Sequence, residues 1–212
     1  MSSNPTFESA YALLLSGEII CEHRFPQEFN LLRMEDQVQR MDFMLAPLNR
    51  RIRTTQDNAS YLMAYIDPGT SNARSSIRTQ FSRVINQLEP LVKWLRLVMD
   101  VSGSERPVVP GEVISESKMQ THIEQVPALE AKLESLVKNG LFSSRQSDSK
   151  GRLSYVMGKL VDEGYLTRLG SAGSQYRATG KWSWLYDTMG FISVHEELPE
   201  PEQRDGQMEF LE

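Results

Sequence analysis

The segment from residue 147 to residue 181 most constrains the fold, because it predicts one amphipathic helix followed by one β-hairpin. Its helical part places five apolar residues on a single stripe: Leu153, Val156, Met157, Leu160 and Val161. Gly164 follows the stripe and suits the left-handed residue that often ends a helix. Two predicted strands, 165–169 and 175–178, flank a turn of small residues at 171–174. Helix and two-stranded wing together predict a winged helix-turn-helix.

The same order of helix and hairpin is predicted a second time, earlier in the chain. Apolar residues at steps of three and four predict a helix over 34–48: Met34, Val38, Met41, Leu45 and Leu48. A polar turn around Asp57 then separates an arginine-rich stretch from the β-forming stretch 61–66. Residues 19–21 predict a further short strand. The repeat is one of architecture, because the two copies share little sequence identity.

A long helix is predicted between the two copies, over residues 74–100. Pro90 has no backbone donor, so we expect a kink or a fresh helix start beside it. Residues 101–111 are rich in Gly, Pro and Ser and predict a linker. Two further helices, near 115–125 and 127–139, then open the second copy.

The predicted fold class is α+β, mainly helical, with tandem winged helix-turn-helix domains and small β-hairpin wings. The N-terminal winged-helix domain covers 1–70, a linking helix and linker cover 71–107, and the C-terminal winged-helix domain covers 108–193. Aromatic and aliphatic residues from Trp182 to Ile192 predict a closing helix. The remaining segment, 194–212, is an acidic tail predicted to be disordered, with seven carboxylates and one arginine after residue 195.

The composition of this 212-residue chain limits its possible partners and cellular compartment. It carries 23 Lys and Arg against 28 Asp and Glu, so any contact with nucleic acid must come from a local surface. Cys21 is the only cysteine, which excludes an intrachain disulfide and fits a reducing compartment. No apolar run reaches the roughly 18 residues of a membrane span, and no secretory signal opens the sequence. We expect a cytoplasmic protein.

Motifs of catalysis and cofactor binding are missing from the sequence. The Gly-rich phosphate loops, the nucleophile elbow and the zinc-protease motif do not occur. Cys21 and His23 have the chemistry of metal ligands, but they lack a second pair. We therefore predict no enzymatic activity, no cofactor and no metal. Trp94, Trp182 and Trp184 fit core or interface positions, and Gly158 in mid-helix suggests close packing.

The second winged unit has a local excess of positive charge. Residues 143–192 contain seven Lys and Arg against four acids. These cations form either an ordinary solvated face or a modest phosphate-contacting surface. Contacts of the second kind would bind DNA weakly and without reading sequence. The candidate DNA-contact residues are Lys150, Arg152, Lys159, Arg168, Arg177 and Lys181.

A family resemblance rests on runs at both ends of the chain. The closing runs are Tyr165-Leu166, Tyr176-Arg177-Ala178-Thr179-Gly180-Lys181, Trp184-Leu185-Tyr186 and Phe191-Ile192, and the opening run is Leu13-Leu14-Leu15-Ser16-Gly17-Glu18-Ile19-Ile20. Together they resemble the MksE subunit of bacterial Mks condensins. MksE is similar to MukE, and both belong with the tandem winged-helix proteins that bind kleisins. The resemblance spans about residues 6–193 and leaves out the acidic tail.

The resemblance implies a non-enzymatic accessory subunit, usually a homodimer, that binds a kleisin. The kleisin bridges the heads of an SMC-type coiled-coil ATPase that organises and segregates chromosomes, so the protein would be nucleoid-associated. Related subunits also act in plasmid defence. Exposed stripes on the linking helices would also need a cover, which favours a dimer.

The alternative function is a winged-helix DNA-binding transcription regulator. Such a protein would place the helix at 147–163 in the major groove. The solvent face of that helix offers Lys150, Arg152, Ser154 and Lys159 but no Asn or Gln, so its capacity for direct base readout is small.

Overall fold

The computed structural model of the protein describes residues 4–138, 140–170 and 174–195. Over these residues the fold is α+β and mainly helical, with eight α-helices and two small antiparallel sheets. The helices are α1 (Pro5–Leu15), α2 (Pro26–Leu32), α3 (Glu35–Leu45), α4 (Ser71–Ser102), α5 (Glu116–Gln125), α6 (Pro127–Leu136), α7 (Ser149–Asp162) and α8 (Lys181–His195). The strands are β1 (Ile20–Cys21), β2 (Arg50–Thr54), β3 (Ser60–Tyr65), β4 (Val113–Ser115), β5 (Leu166–Arg168) and β6 (Gln175–Ala178).

Unit 1 comprises α1 to β3 and has its own core. Its sheet has the order β1-β3-β2, so the first strand pairs with the last. Asn49 adopts a left-handed conformation, with φ of 59°, after the short 3₁₀ turn Ala46–Leu48 and directs the chain from α3 into β2. The core is built from α1, α2, α3, β1 and β2: Phe7, Ala10, Leu14, Ile20, Leu31, Leu32, Met41, Leu45 and Ile52.

Unit 2 comprises the second half of α4 and everything that follows it, up to α8. Its sheet has the order β4-β6-β5, which again pairs the first strand with the last. The core is rich in aromatic residues. Trp94 of α4 stacks on Trp182 of α8 with ring centroids 5.1 Å apart, and both are fully buried. The core role predicted for these two tryptophans is confirmed, and α4 contributes to the core of unit 2 in addition to linking the units.

Pro90 lies inside α4 without ending it. The helix continues unbroken from Ser71 to Ser102, so the expected fresh start at Pro90 is wrong. Pro90 is buried, and the Cβ that Gly140 lacks would lie 3.6 Å from its ring. The proline removes one backbone hydrogen bond of the helix, and its ring is buried beside the segment that follows α6.

Most predicted elements are confirmed, but one strand was not predicted and the expectation for Gly158 is wrong. The helices and strands of both copies lie where the hydrophobic patterns place them, with ends shifted by a few residues. Strand β4 went unpredicted, because three residues are too few to show an alternating pattern. Gly158 does not mark close packing, since a Cβ built there meets nothing within 4 Å. The predicted turn at 171–174 and the acidic tail fall largely outside the described residues.

Candidate interaction surfaces

The turn of hairpin 1, the loop between β2 and β3, docks onto the start of α8. Ser183 Oγ donates a hydrogen bond of 2.5 Å to the carboxylate of Asp57. The backbone N–H of Gln56 donates to the carboxylate of Asp187 over 2.9 Å. These two contacts connect residues more than 120 positions apart, so the tip of hairpin 1 is held within the molecule. We call this contact between unit 1 and unit 2 the seam.

Gly180 allows the two units to approach closely at the seam. A Cβ at this position would lie 1.8 Å from Ser60 Oγ, 2.8 Å from Cys21 Cβ and 3.0 Å from the carbonyl oxygen of Ala59. No side chain fits there without displacing the neighbouring strand. Ser60 and Cys21 are both buried at this point. Gly180 is part of a run that the sequence analysis used only for its family resemblance, and its packing role could not be read from that run.

Hydrogen bonds at the seam favour the ionised form of Asp57. Partial burial by itself raises the pKa of this carboxyl group, but hydrogen bonds from Ser183, from the Ala59 N–H and from Thr55 outweigh it. The pKa of Asp57 therefore lies below its ordinary value. The seam consequently contains one carboxylate that is stabilised as an anion by its partners.

Lys181, one of the six candidate DNA contacts, lies at the seam. Its ammonium group donates to the backbone oxygen of Glu163 over 2.5 Å and lies 4.7 Å from the centre of the Tyr165 ring. Burial lowers the pKa of Lys181. The Arg24–Glu18 ion pair of unit 1 is close enough to influence the same ammonium group. The side chain of Lys181 is thus engaged inside the protein and apart from the other candidates.

The three candidates on α7 lie on two different sides of the helix. At 100° per residue, Lys150 lies on one side of the helix and Arg152 and Lys159 on the other. Lys150 is exposed, Arg152 donates from Nε to the backbone oxygen of Gln146 over 3.1 Å, and Lys159 lies 5.9 Å from the Tyr155 ring. The exposed residues of α7 are Lys150, Ser154 and Asp162, whereas Arg152 and Lys159 are half-buried.

The two candidates on hairpin 2, which consists of β5 and β6, point to opposite faces of their sheet. Arg168 pairs in register with Tyr176 and lies over its ring, 5.5 Å from the centroid. Arg177 pairs in register with Thr167 and Val113, on the other face. The structure therefore groups Arg152 with Lys159, separates Lys150 from them, and divides the hairpin arginines.

Unit 1 presents an exposed apolar face that the sequence analysis missed. Phe43 is 83% exposed and Met44 is 42% exposed, both on α3. Leu48 of the following 3₁₀ turn is 54% exposed. Ile66, 44% exposed, joins them because its N–H donates to the carbonyl of Asn49, the residue after Leu48. The available signal was the pair Phe43-Met44, which lies outside the helical stripe that predicts the buried side of α3. We call these four residues the α3 face.

No protein-family model matches the sequence, and no curated protein matches it. Within the described residues, no group of three or more His, Cys, Asp or Glu side chains could hold a metal ion. Nor does any described helix have the length and apolar character needed to cross a membrane. The seam, the basic groups of unit 2 and the α3 face are three features on which a functional proposal can rest.

Proposed function

We propose that this protein is a tandem winged-helix accessory subunit that binds a kleisin in a bacterial condensin-like SMC complex. The proposal joins the resemblance to MksE with one structural observation, the exposed α3 face. In this role the protein has no enzymatic activity. It contributes to chromosome organisation and segregation on the nucleoid, or to plasmid restriction in a defence variant of the complex. It acts as a homodimer, as the resemblance implies.

The strand order of both sheets supports the assignment of two winged-helix domains. In each unit a helix leads into a short strand, further helices follow, and a hairpin comes after them; in unit 2, α8 follows the hairpin. In each sheet the opening strand, β1 or β4, pairs with the last strand of the hairpin, β3 or β6. That last strand is therefore the central strand of its sheet. Unit 2 differs by one added helix, α6, between the helices that correspond to α2 and α3. Two copies with one topology are what a tandem winged-helix protein requires.

The chemistry of the α3 face favours a protein partner over DNA. A winged-helix domain that reads DNA places the helix before the wing in the major groove, where polar side chains bond to base edges. At that position α3 exposes Phe43 and Met44, and the 3₁₀ turn after it exposes Leu48. Large apolar groups exposed on a surface suit an amphipathic helix or a strand from another protein. A kleisin segment is the partner that the resemblance supplies.

Affinity purification from the native cell tests the proposal. A tagged copy of the protein should co-purify a kleisin and a large coiled-coil ATPase. Phe43→Glu should remove both by placing a charge in the apolar contact, with a loss of at least tenfold in captured kleisin, equivalent to about 1.4 kcal/mol or more. Val126→Glu is the matched control, since Val126 is 42% exposed in unit 2 and lies away from the α3 face.

Two results would contradict the proposal. If neither an ATPase nor a kleisin co-purifies, the protein is not a subunit of such a complex. If the Phe43→Glu and Val126→Glu variants capture equal amounts of kleisin, the complex exists but the α3 face is not the kleisin site. Circular dichroism of both variants must match the parent protein, because an unfolded variant would lose every partner.

A further inference from the structure

The first half of α4 has a basic surface without acids of its own. Residues 71–88 contain three arginines and no Asp or Glu. Arg83 pairs with Glu163 over 3.4 Å. Arg74 and Arg78 are exposed, and neither has an ion-pair partner among the described residues. Two guanidinium groups are therefore available for an anionic ligand.

The same side of the helix also carries apolar groups. At 100° per residue, Arg74, Arg78, Phe81 and Ile85 fall within an arc of about 60°. Ile85 is 46% exposed. Phe81 contacts Phe191 of α8 edge to face, with ring centroids 5.8 Å apart. We call these four residues of α4 the α4 face. Its ligand must combine negative charge with apolar side chains.

Helix α8 leads the chain toward this face. Trp182, near the start of α8, stacks on Trp94, whereas Phe191, near its end, meets Phe81. A later residue of α8 thus contacts an earlier residue of α4, so the two helices run in opposite senses. The C-terminal end of α8 consequently lies on the side of α4 that leads toward Arg78 and Arg74.

The segment that follows α8 has the composition that the α4 face requires. Residues 196–212, which lie outside the described residues, carry seven carboxylates, one arginine and four large apolar side chains: Leu198, Met208, Phe210 and Leu211. Glu196 and Glu197 follow the C-terminal end of α8, where the helix dipole disfavours anions unless cations are near. Seventeen extended residues reach up to about 56 Å. The first half of α4 is about 27 Å long, so the segment can run along it completely.

We propose that residues 196–212 dock on the α4 face of their own chain. Their carboxylates pair with Arg74 and Arg78, and their apolar residues cover Ile85 and the exposed end of α8. A second copy of the protein is the competing occupant. A twofold contact through this face would bring the arginines of one copy toward the same residues of the other, which like charges oppose. The docked segment would also exclude other acidic ligands from α4. This inference rests on contacts within the chain and does not depend on kleisin binding.

Paramagnetic relaxation enhancement in the full-length protein tests the docking. Cys21 is the only cysteine and is buried, so a spin label can be attached selectively at Gln207→Cys. Backbone amides of residues 74–86 should broaden. Arg74→Glu with Arg78→Glu should reduce the broadening about fivefold, the effect of losing two exposed ion pairs of about 0.5 kcal/mol each. About 1 M salt should reduce it as well, because the Debye length falls to about 3 Å.

Arg96→Glu serves as the matched control, because Arg96 is an exposed arginine on the second half of the same helix. It should leave the broadening unchanged. The proposal is overturned if residues 74–86 do not broaden, or if the double reversal and Arg96→Glu act equally. A mixture of two samples distinguishes docking within one chain from docking between two copies. One sample is isotope-labelled without a spin label, and the other carries the spin label without isotope. Broadening in that mixture would assign the face to the segment of a second copy and overturn docking within the chain.

Discussion

Unit 1 and unit 2 share the order of their strands but expose different surfaces. In unit 1 the hairpin turn is docked at the seam, and the helix before the hairpin exposes Phe43 and Met44. In unit 2 the corresponding helix, α7, exposes only charged and polar residues, which are Lys150, Ser154 and Asp162. One topology thus supports an apolar face in one copy and a weakly basic surface in the other. The difference shows that the surface of each copy, and not its topology, determines what it can bind.

The cores of the two units differ in a parallel way. Core residues of unit 1 are mainly aliphatic and come from three short helices and two strands. Unit 2 adds two fully buried tryptophans and half of a 32-residue helix. Stacked aromatic pairs contribute about 0.5–1.5 kcal/mol beyond the area that they bury. We therefore expect unit 2 to be the more stable half, with unit 1 depending on the seam for part of its stability.

Gly180→Ala is the strongest test of that dependence. The added methyl group would overlap Ser60 and Cys21, so we expect the free energy of unfolding to fall by about 3 kcal/mol. Urea denaturation measures the loss. The rate at which a thiol reagent modifies Cys21 should rise at the same time, because opening the seam uncovers this buried residue.

Gly190→Ala is the control, since a Cβ at Gly190 of α8 meets nothing within 4 Å. Alanine should stabilise that helix by up to about 1 kcal/mol and leave Cys21 protected. Equal stability of the two variants would mean that unit 1 and unit 2 do not pack together at Gly180.

Replacing Asp57 should have a smaller effect on the same contact. Asp57→Ala removes the acceptor of the Ser183 hydrogen bond, with an expected loss of about 1 kcal/mol in unfolding free energy. Because the folded-state pKa of Asp57 is lowered, its ionisation stabilises the fold above the unfolded-state value near 4, and the contribution disappears as pH falls through the folded-state pKa.

Asp57→Asn provides the check on the pH dependence. It is nearly isosteric and cannot ionise, so it should lose the Asp57 part of the acid destabilisation. Urea midpoints between pH 3 and pH 7 would show this. A parent protein and an Asp57→Asn variant with parallel pH profiles would rule out a stabilising role for the ionised carboxylate.

DNA binding by unit 2 is the smallest expected effect. With three cations on α7, the slope of log K against log salt should be about −3 at most, and binding should be indifferent to sequence and largely lost by about 0.2 M salt. Lys150→Glu with Arg152→Glu should abolish it, while Lys93→Glu with Arg96→Glu on α4 should retain it. Fluorescence anisotropy on several unrelated duplexes measures both. Nanomolar binding to one sequence at physiological salt would favour a transcription regulator over a condensin subunit.

Local patterns determined most of the secondary structure. The apolar spacing in α7 predicts its buried side, because every third or fourth residue of a helix returns to the same face. Gly164, with φ of 79°, follows the end of α7 in the left-handed conformation that its sequence position predicts. Residues that are close in sequence decide these features, so the sequence alone reveals them. Charge likewise predicted that any DNA contact would be local.

Tertiary packing decided the surfaces. Lys181 has the same chemistry as Lys150, yet it is engaged at the seam because the turn after α7 and the Arg24–Glu18 pair of unit 1 lie around it. Gly180 and Asp57 acquire their roles only because residues more than 120 positions apart come into contact. Phe43 is exposed because α1, α2 and β2 cover the other side of α3. Such pairings depend on how whole elements pack together, and no local periodicity encodes them.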